Sequence, residues 1–519
     1  MAKQRAPRVR LPAIELVAPL ALLGLALSAP AHAQTTVVPS IAVRETYSDN
    51  LQLQPDDQAH GQFVTDVTPG LNVAVSTPRL KLFALLNAHL FAYSGGHSGA
   101  NNSTSIQLNT GGKADLIEDL LYLDGSASRS RQSISAFGQQ FQQYYNDTNT
   151  DVVTTYRISP YLTHRFGNFA NAQLRYTHDS VKSSRNLLSN STGNAVALNL
   201  NSGPGFTTVG WDGSLYHQEL DDPLAGKSEI DNALGTVRYR VLHTLSVYTN
   251  VGYDKYSYQG LGGTTKGKSH AFGFTWTPSL RTSIDASVGH RYFGKTYSLA
   301  ATVRSRKTIW NATYHDDITT ARAQFLQPGS IDTATLLDAS FASAFPDPVQ
   351  RRQAIDAYIR ALGLPTSVAN NVNYFSNRLF LQKQGQASVV LNGTRSTAIA
   401  SISTTKRTAL STAAVDNGLP AAGIPNLNDD TKQRSLSLAL NYRLSARLAA
   451  TANVVKSRVT ALSTNIEQDQ TLYNFVLTEQ FDKKLSGTVE LRRNQGSTFD
   501  ALGRGYHENA ITASLSYRL

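Results

Sequence analysis

From Ile41 to Leu519, apolar side chains recur at every second position in stretches of about ten residues, separated alternately by very short and by longer polar links. Successive side chains of a strand point to opposite faces, so each stretch reads as a strand with one apolar and one polar side. Leu80, Leu82, Ala84, Leu86, Ala88 and Leu90 are the plainest case, with Lys81, Asn87 and His89 between them. The same parity runs through Leu71, Val73 and Val75; Val196, Leu198 and Leu200; Leu245, Val247, Val251 and Tyr253; Phe272, Phe274 and Trp276; and Leu436, Leu438, Leu440 and Tyr442. A repeat of this length predicts an all-β fold, a transmembrane antiparallel β-barrel, in preference to the core of a soluble β-sandwich.

The first 33 residues read as a cleaved signal peptide. Lys3, Arg5, Arg8 and Arg10 form a basic start, an apolar run follows from Val17 to Leu27, and Ala31-His32-Ala33 is a small-x-small cleavage site. A transmembrane anchor would need about 20 apolar residues without that signature. Residues 34–519 then form one domain, because a barrel stays a single unit at this length. Export without a later helical span leaves the periplasm, the outer membrane of a Gram-negative bacterium or the medium.

Composition fits a wide barrel. The mean hydropathy of -0.26 is low because half of the strand residues face water. The chain has no cysteine, which excludes a disulfide framework and thiolate metal sites. Its 23 tyrosines and 19 phenylalanines suit aromatic girdles at two lipid interfaces. Loss of the signal peptide removes four of 48 basic residues and one of 37 acidic ones, leaving a net charge of about +8. The arginines are scattered along strands instead of clustered on a helix or among aromatics, which argues against nucleic acid. Arg157, Arg165, Arg175, Arg238, Arg240, Arg291, Arg304 and Arg492 share the polar parity of their strands and are expected to line the lumen. Asp115, Asp212, Asp254, Asp285 and Glu490 interleave with them, so a wall of solvated ion pairs is one account of this charge.

Tight links at Pro78-Arg79, Glu118-Asp119, Gly167-Asn168, Gly203-Pro204-Gly205, His243, Ser279-Leu280, Ser305-Arg306, Gly393-Thr394, Ser445-Ala446 and Asp482-Lys483 read as periplasmic turns, with longer extracellular loops between them. Counting across them predicts about 22 strands, within a range of about 16 to 24. From about Asp316 to Asn377 the alternation stops. Asp347 as N-cap, Pro348 at the first helical position, and Ile355, Tyr358, Ile359 and Leu362 before Gly363 and Pro365 predict a helix inside this long extracellular loop. Leu336, Leu337, Phe341 and Phe345 suggest a helix before it. A second long polar loop is expected over 404–432, broken by Gly418, Pro420, Gly423 and Pro425. Either loop is a candidate plug, or simply a packed surface hairpin. Ile511, Ala513, Leu515, Tyr517 and Leu519 form a final strand of the kind recognised by outer-membrane assembly machinery, with Leu519 in place of the usual aromatic.

Val38-Pro39-Ser40-Ile41, followed by Val43, Glu45, Tyr47, Asp49 and Asn50, resembles the opening of the PEP-CTERM system-associated outer-membrane proteins, a group of β-barrel porins. Tyr156 to Gly167, Phe345-Pro346-Asp347-Pro348 and Asn377-Arg378-Leu379-Phe380 resemble the same group. The resemblance spans nearly the whole chain after residue 33 through short structural motifs. It implies an outer-membrane location, an association with exopolysaccharide export, and no catalytic residues.

Catalytic and cofactor patterns are weak. Gly262, Gly267, Lys268 and Ser269 match a phosphate-binding loop, but Ala271 to Thr277 alternates as a strand, so no helix N-terminus would meet a phosphate. His315, Asp316 and Asp317 resemble half of an outer-membrane protease rim cluster and lack a second acidic pair. His164, His178, His217 and His290 have no evident Ser and Asn companions, and neither zinc spacing nor a calcium loop is present. We therefore expect no enzyme, cofactor, metal or nucleotide. The leading reading is a passive conduit for polysaccharide or small solutes. The alternative is a closed structural barrel whose loops bind secreted polymer or an export partner.

Overall fold

The computed structural model describes residues 34–94, 104–138, 140, 145, 149–185, 190–223, 226–258, 263–326, 373–412, 416, 430–497 and 504–519. Twenty-two strands dominate it. The first eleven are β1 (Gln34–Ser48), β2 (Gln62–Ser76), β3 (Leu80–Tyr93), β4 (Thr104–Ile117), β5 (Leu121–Ser133), β6 (Thr150–Phe166), β7 (Ala170–Ser183), β8 (Ser191–Ser202), β9 (Val209–Asp222), β10 (Gly226–Leu242) and β11 (Leu245–Tyr258). The rest are β12 (Gly263–Ser279), β13 (Thr282–Arg291), β14 (Gly294–Arg304), β15 (Thr308–Thr320), β16 (Leu379–Asn392), β17 (Ser396–Ala409), β18 (Thr431–Arg443), β19 (Leu448–Ala461), β20 (Glu467–Gln480), β21 (Leu485–Ser497) and β22 (Gly505–Arg518). A short helix, α1 (Ala321–Leu326), follows β15.

Each strand pairs antiparallel with its neighbours in sequence, and β1 pairs with β22 through Ser40–Ser48 and Ala510–Arg518. That last ladder closes the sheet, so no edge is left unpaired in the bilayer. The ten tight links all lie at one end, where β1 starts and β22 finishes, and the longer connections lie at the other. This is the asymmetry expected of outer-membrane barrels.

Period-two patterning decides which side of the wall meets lipid. On β18, Leu436, Leu438 and Leu440 are exposed while Ser435, Ser437, Ala439 and Asn441 are buried. Directly paired residues share a face, so Ile402 beside Leu436, and Phe272, Phe274 and Trp276 beside Val288, Ala286 and Ile284, continue the outer apolar surface. The three tryptophans, Trp211, Trp276 and Trp310, sit on the outward parity near the short-turn ends of β9, β12 and β15, which is where an interfacial aromatic belt belongs.

Two boundaries differ from the sequence reading. Strand β15 continues past Asp316 to Thr320, so the long insertion begins at α1. Strands β17 and β18 extend to Ala409 and from Thr431, so their connection is 410–430, shorter than the loop expected over 404–432. The cause is the same in both. Beyond the lipid the outward face no longer needs to be apolar, and Thr404, Lys406, Lys432 and Arg434 pair as strand residues without an apolar alternation to mark them. The helix expected on Ile355, Tyr358, Ile359 and Leu362, and residues Leu336, Leu337, Phe341 and Phe345, lie outside the described residues, as does the expected signal peptide, 1–33.

Candidate functional site

Every arginine expected in the lumen lies on the inward parity of its strand. Arg157, Arg165 and Arg175 are on β6 and β7, on the face opposite exposed Ile158, Leu162 and Leu174. Arg238 and Arg240 on β10 alternate with exposed Val237, Tyr239 and Val241. Arg291, Arg304 and Arg492 alternate in the same way with His290, Val303 and Leu491. Several are ion-paired. Arg175 meets Asp124 at 2.7 Å, Arg238 meets Asp212 at 3.5 Å, and Arg291 meets Asp254 at 3.0 Å. Arg492 meets Glu508 at 2.7 Å and Glu490 at 3.6 Å.

The sequence reading named the insertion as a candidate plug but not the strands it reaches, nor the segment after β5. Two segments leave the wall and reach opposite sides of the barrel. One is the insertion after β15. Its Arg322 is buried, donates from Nε to Ser191 Oγ at 2.6 Å, and donates from Nη2 to Asp179 Oδ1. Ser191 and Asp179 belong to β8 and β7, which β9 to β14 separate from β15 along the wall. Gly193 permits this approach, since a Cβ there would lie 3.0 Å from Asp179 Oδ1 and 3.1 Å from Arg322 Nη2. Phe325 and Leu326 pack on Ile134, Val153 and Val181, and Phe375, from the far end of the insertion, joins the same cluster with no exposure.

The second segment follows β5. Ile134 accepts a hydrogen bond from the Phe375 N–H at 3.2 Å, and Ser133 bridges to Tyr374, so the two segments hold each other. Ala136, Phe137 and Tyr374 pack on Val459 and Ala461 of β19. Gln470 of β20 donates to the Gln140 carbonyl at 2.9 Å. Tyr145 packs with Leu51, Val64 and Phe91, and its hydroxyl accepts from Arg492 Nη2 at 2.7 Å. Burial pushes the Tyr145 hydroxyl up to about 12, so it stays neutral at physiological pH.

Arg407 on β17 anchors the return of the insertion. It donates to Gln382 at 2.8 Å, to Asn373 at 3.0 Å and to Gln324, and its guanidinium lies 4.7 Å over the Tyr374 ring. Downstream, the Asn377 N–H and the Ser376 hydroxyl donate to the Asp416 carboxylate at 2.6 and 2.9 Å. Burial raises the Asp416 pKa, and these donors with Arg378 offset only part of that. No local sequence signal marks Arg322, Arg407 or Tyr145, whose partners lie on distant strands.

The lumen is filled unevenly. Inward residues of β17 to β19, including Ser401, Ser437, Thr451 and Asn453, are buried. On β9 to β13, inward Asp212, Ser214, Tyr248, Asn250 and Asp285 are half-exposed, whereas Leu220, Ser228, Asp254 and Tyr256, nearer the long-loop end, are buried. Lower on the β4–β7 wall, Tyr122 and Tyr161 stack at 5.0 Å, with Lys113 4.5 Å over Tyr122 and Arg175 4.0 Å over Tyr161.

The candidate chemical motifs are dispersed by the register. Gly267, Lys268 and Ser269 sit within β12 opposite Asp254, Tyr253 and Gly252, in extended backbone. Asp316 lies outward near Lys383 at 4.0 Å, whereas Asp317 lies inward near Arg291 at 3.8 Å, so the two carboxylates do not converge. His164 meets Phe166, His178 bonds Asn194 and His290 stacks on His270. Among the described residues one group, His217, Glu229 and Asp231, has ligand atoms close enough for a metal ion. Lys255 Nζ already bonds Glu229 at 3.1 Å and Asp231 at 2.9 Å, which makes this an exposed ion-pair cluster.

No family model and no curated protein matches the chain. Among solved structures, the FrpB iron transporter from Neisseria meningitidis, F3-3 variant, superposes with a TM-score of 0.50 at 9% identity, covering 93% of this chain and 82% of its own. The siderophore receptor PirA from Pseudomonas aeruginosa superposes with a TM-score of 0.45 at 10% identity, covering 93% and 80%. The likeness to FrpB is one of barrel fold.

Proposed function

We propose that this protein is an outer-membrane conduit, associated with export of envelope polysaccharide, whose passage is closed by the segments after β5 and β15. The observation that carries this reading is the buried span from β15 to β7 and β8 through Arg322, Asp179 and Ser191. Barrels of about 22 strands enclose far more space than wall side chains fill, and natural ones are plugged. Here the insertion and the β5–β6 connection supply that plug from the wall itself.

The polysaccharide reading rests on the resemblance of the sequence to PEP-CTERM system-associated proteins and on the inner wall. Half-exposed polar residues on β9 to β13 leave a wet side to the lumen. Lys113, beside the Tyr122–Tyr161 stack and half-exposed, adds a cation to the inner wall. The role is transport without catalysis, with outer-membrane lipid and the assembly machinery as obligate partners and polysaccharide or an export protein as the cargo-side partner.

Planar-bilayer conductance tests this. Excising residues 325–370 and joining the ends with a short Gly/Ser linker is expected to leave a folded barrel with higher conductance than the intact chain. An unchanged conductance from a folded deletion sinks the conduit and favours the alternative, a closed barrel that binds polymer or an export partner through its loops.

A further inference from the structure

Deeper in the lumen, four inward arginines have carboxylates: Asp124 for Arg175, Asp212 for Arg238, Asp254 for Arg291 and Glu508 for Arg492. At the short-turn mouth, Arg165, Arg240, Arg304, Arg443 and Arg518 have no carboxylate partner among the described residues. They lie near or at the ends of β6, β10, β14, β18 and β22, one on every fourth strand. Their registers place them inward, opposite Asn171, Ser246, Ile309, Ala449 and Ser40. The wider gap between β22 and β6 carries inward Lys81 and Lys113. Asp115, on the same face, lies 4.0 Å from Lys113.

We propose that this ring binds a carboxylate-bearing polysaccharide as it enters the short-turn mouth. The proposal rests on the conduit reading for the direction of travel. Neighbouring strands lie about 4.8 Å apart, so four strands separate successive guanidinia by about 19 Å across the wall. A small anion in this wet mouth meets one arginine at a time and gains little, since water screens a single charge pair. A chain with a carboxylate on every sugar engages several arginines together, and linked weak contacts reinforce one another. The planar guanidinium fork also matches a carboxylate in two hydrogen bonds. These five positions could have carried Asp or Glu, as inward positions deeper in the lumen do. They carry unneutralised arginine instead, and an unneutralised ring attracts polyanions and repels cations.

The test uses the full chain in detergent and in planar bilayers, with polygalacturonate and a neutral dextran of matched length as probes. The variant carries Arg165→Gln, Arg240→Gln, Arg304→Gln, Arg443→Gln and Arg518→Gln together, with single Arg165→Gln and Arg240→Gln chains as a safeguard against misfolding. Polygalacturonate is expected to bind the intact chain in low salt and not in high salt, and to bind the five-site variant about tenfold more weakly, with a smaller loss in each single variant. Equal binding by intact and substituted chains, or binding of dextran as tight as that of polygalacturonate, overturns the ring. In a KCl gradient the open channel is expected to be anion-selective and to lose that preference in the variant. Ring-dependent binding without any channel, even after the plug is excised, would overturn the conduit and leave the ring; a channel with ring-independent binding would do the reverse.

Discussion

Arg322 donates to Asp179 across the interior of the barrel, joining the start of the insertion after β15 to the inner face of β7, with both side chains buried. Removing one partner of a buried pair leaves the other charge uncompensated, at a cost of about 3 to 5 kcal/mol. Arg322→Ala is therefore expected to unseat the insertion, raising conductance and making the insertion more sensitive to protease. Arg322→Ala combined with Asp179→Ala leaves no stranded charge and is expected to recover part of the lost seating. If the single variant stays as closed and as protease-resistant as the parent, this pair does not hold the plug.

Closure of β1 on β22 satisfies the backbone within the bilayer. The folded protein is expected to resist detergent until boiled, so unboiled and boiled samples migrate differently in detergent gels. Identical migration together with a helical circular dichroism spectrum would remove the barrel altogether.

Leu215 is exposed on the outward face of β9 while adjacent Ser214 is half-buried on the inward face. Leu215→Arg is expected to destabilise the folded barrel by about 2 to 4 kcal/mol if it lies near the bilayer midplane, and Ser214→Arg by less than about 1 kcal/mol. Urea unfolding in liposomes measures both, and equal losses would show that the parity is misassigned. The contrast does not transfer to every strand. Leu438 is exposed like Leu215, but inward Ser437 is fully buried and bonds Ser401 at 2.8 Å, so arginine is excluded on both sides of β18.

The Asp416 latch carries a pH dependence. Its folded pKa is raised, chiefly by burial, so its protonated form favours the folded latch and that contribution is lost as pH rises through the folded value. Acidification through the folded value toward the ordinary carboxylate range is expected to lower open probability in bilayers, and Asp416→Asn is expected to flatten that response. A response of the same size in the asparagine variant would assign the pH dependence to other groups.

Much of this fold is written locally. Leu436, Leu438 and Leu440 alternate with serine and alanine because lipid and lumen impose opposite polarity on neighbouring residues, and that contrast survives in the sequence without any long-range information. It gave the strand count, the short-turn end and the inward parity of Arg157 through Arg492. The signal faded where its cause did. Above the lipid, Lys406 and Lys432 are strand residues on a face that water reaches, so the ends of β17 and β18 were read as loop.

Tertiary structure alone decided which strands the segments after β5 and β15 reach and the state of each charge. Arg322 and Arg175 look alike in sequence, and only the closure of β1 on β22 and the return of the insertion across the lumen give one Asp179 and the other Asp124. The same closure sets Arg165, Arg240, Arg304, Arg443 and Arg518 around one mouth, although up to 139 residues separate neighbours in that series. Sequence fixes a residue's face through a two-residue period, a property of the chain's own geometry. Which residues meet across the lumen depends on where every strand stands around the ring, and no local pattern encodes that.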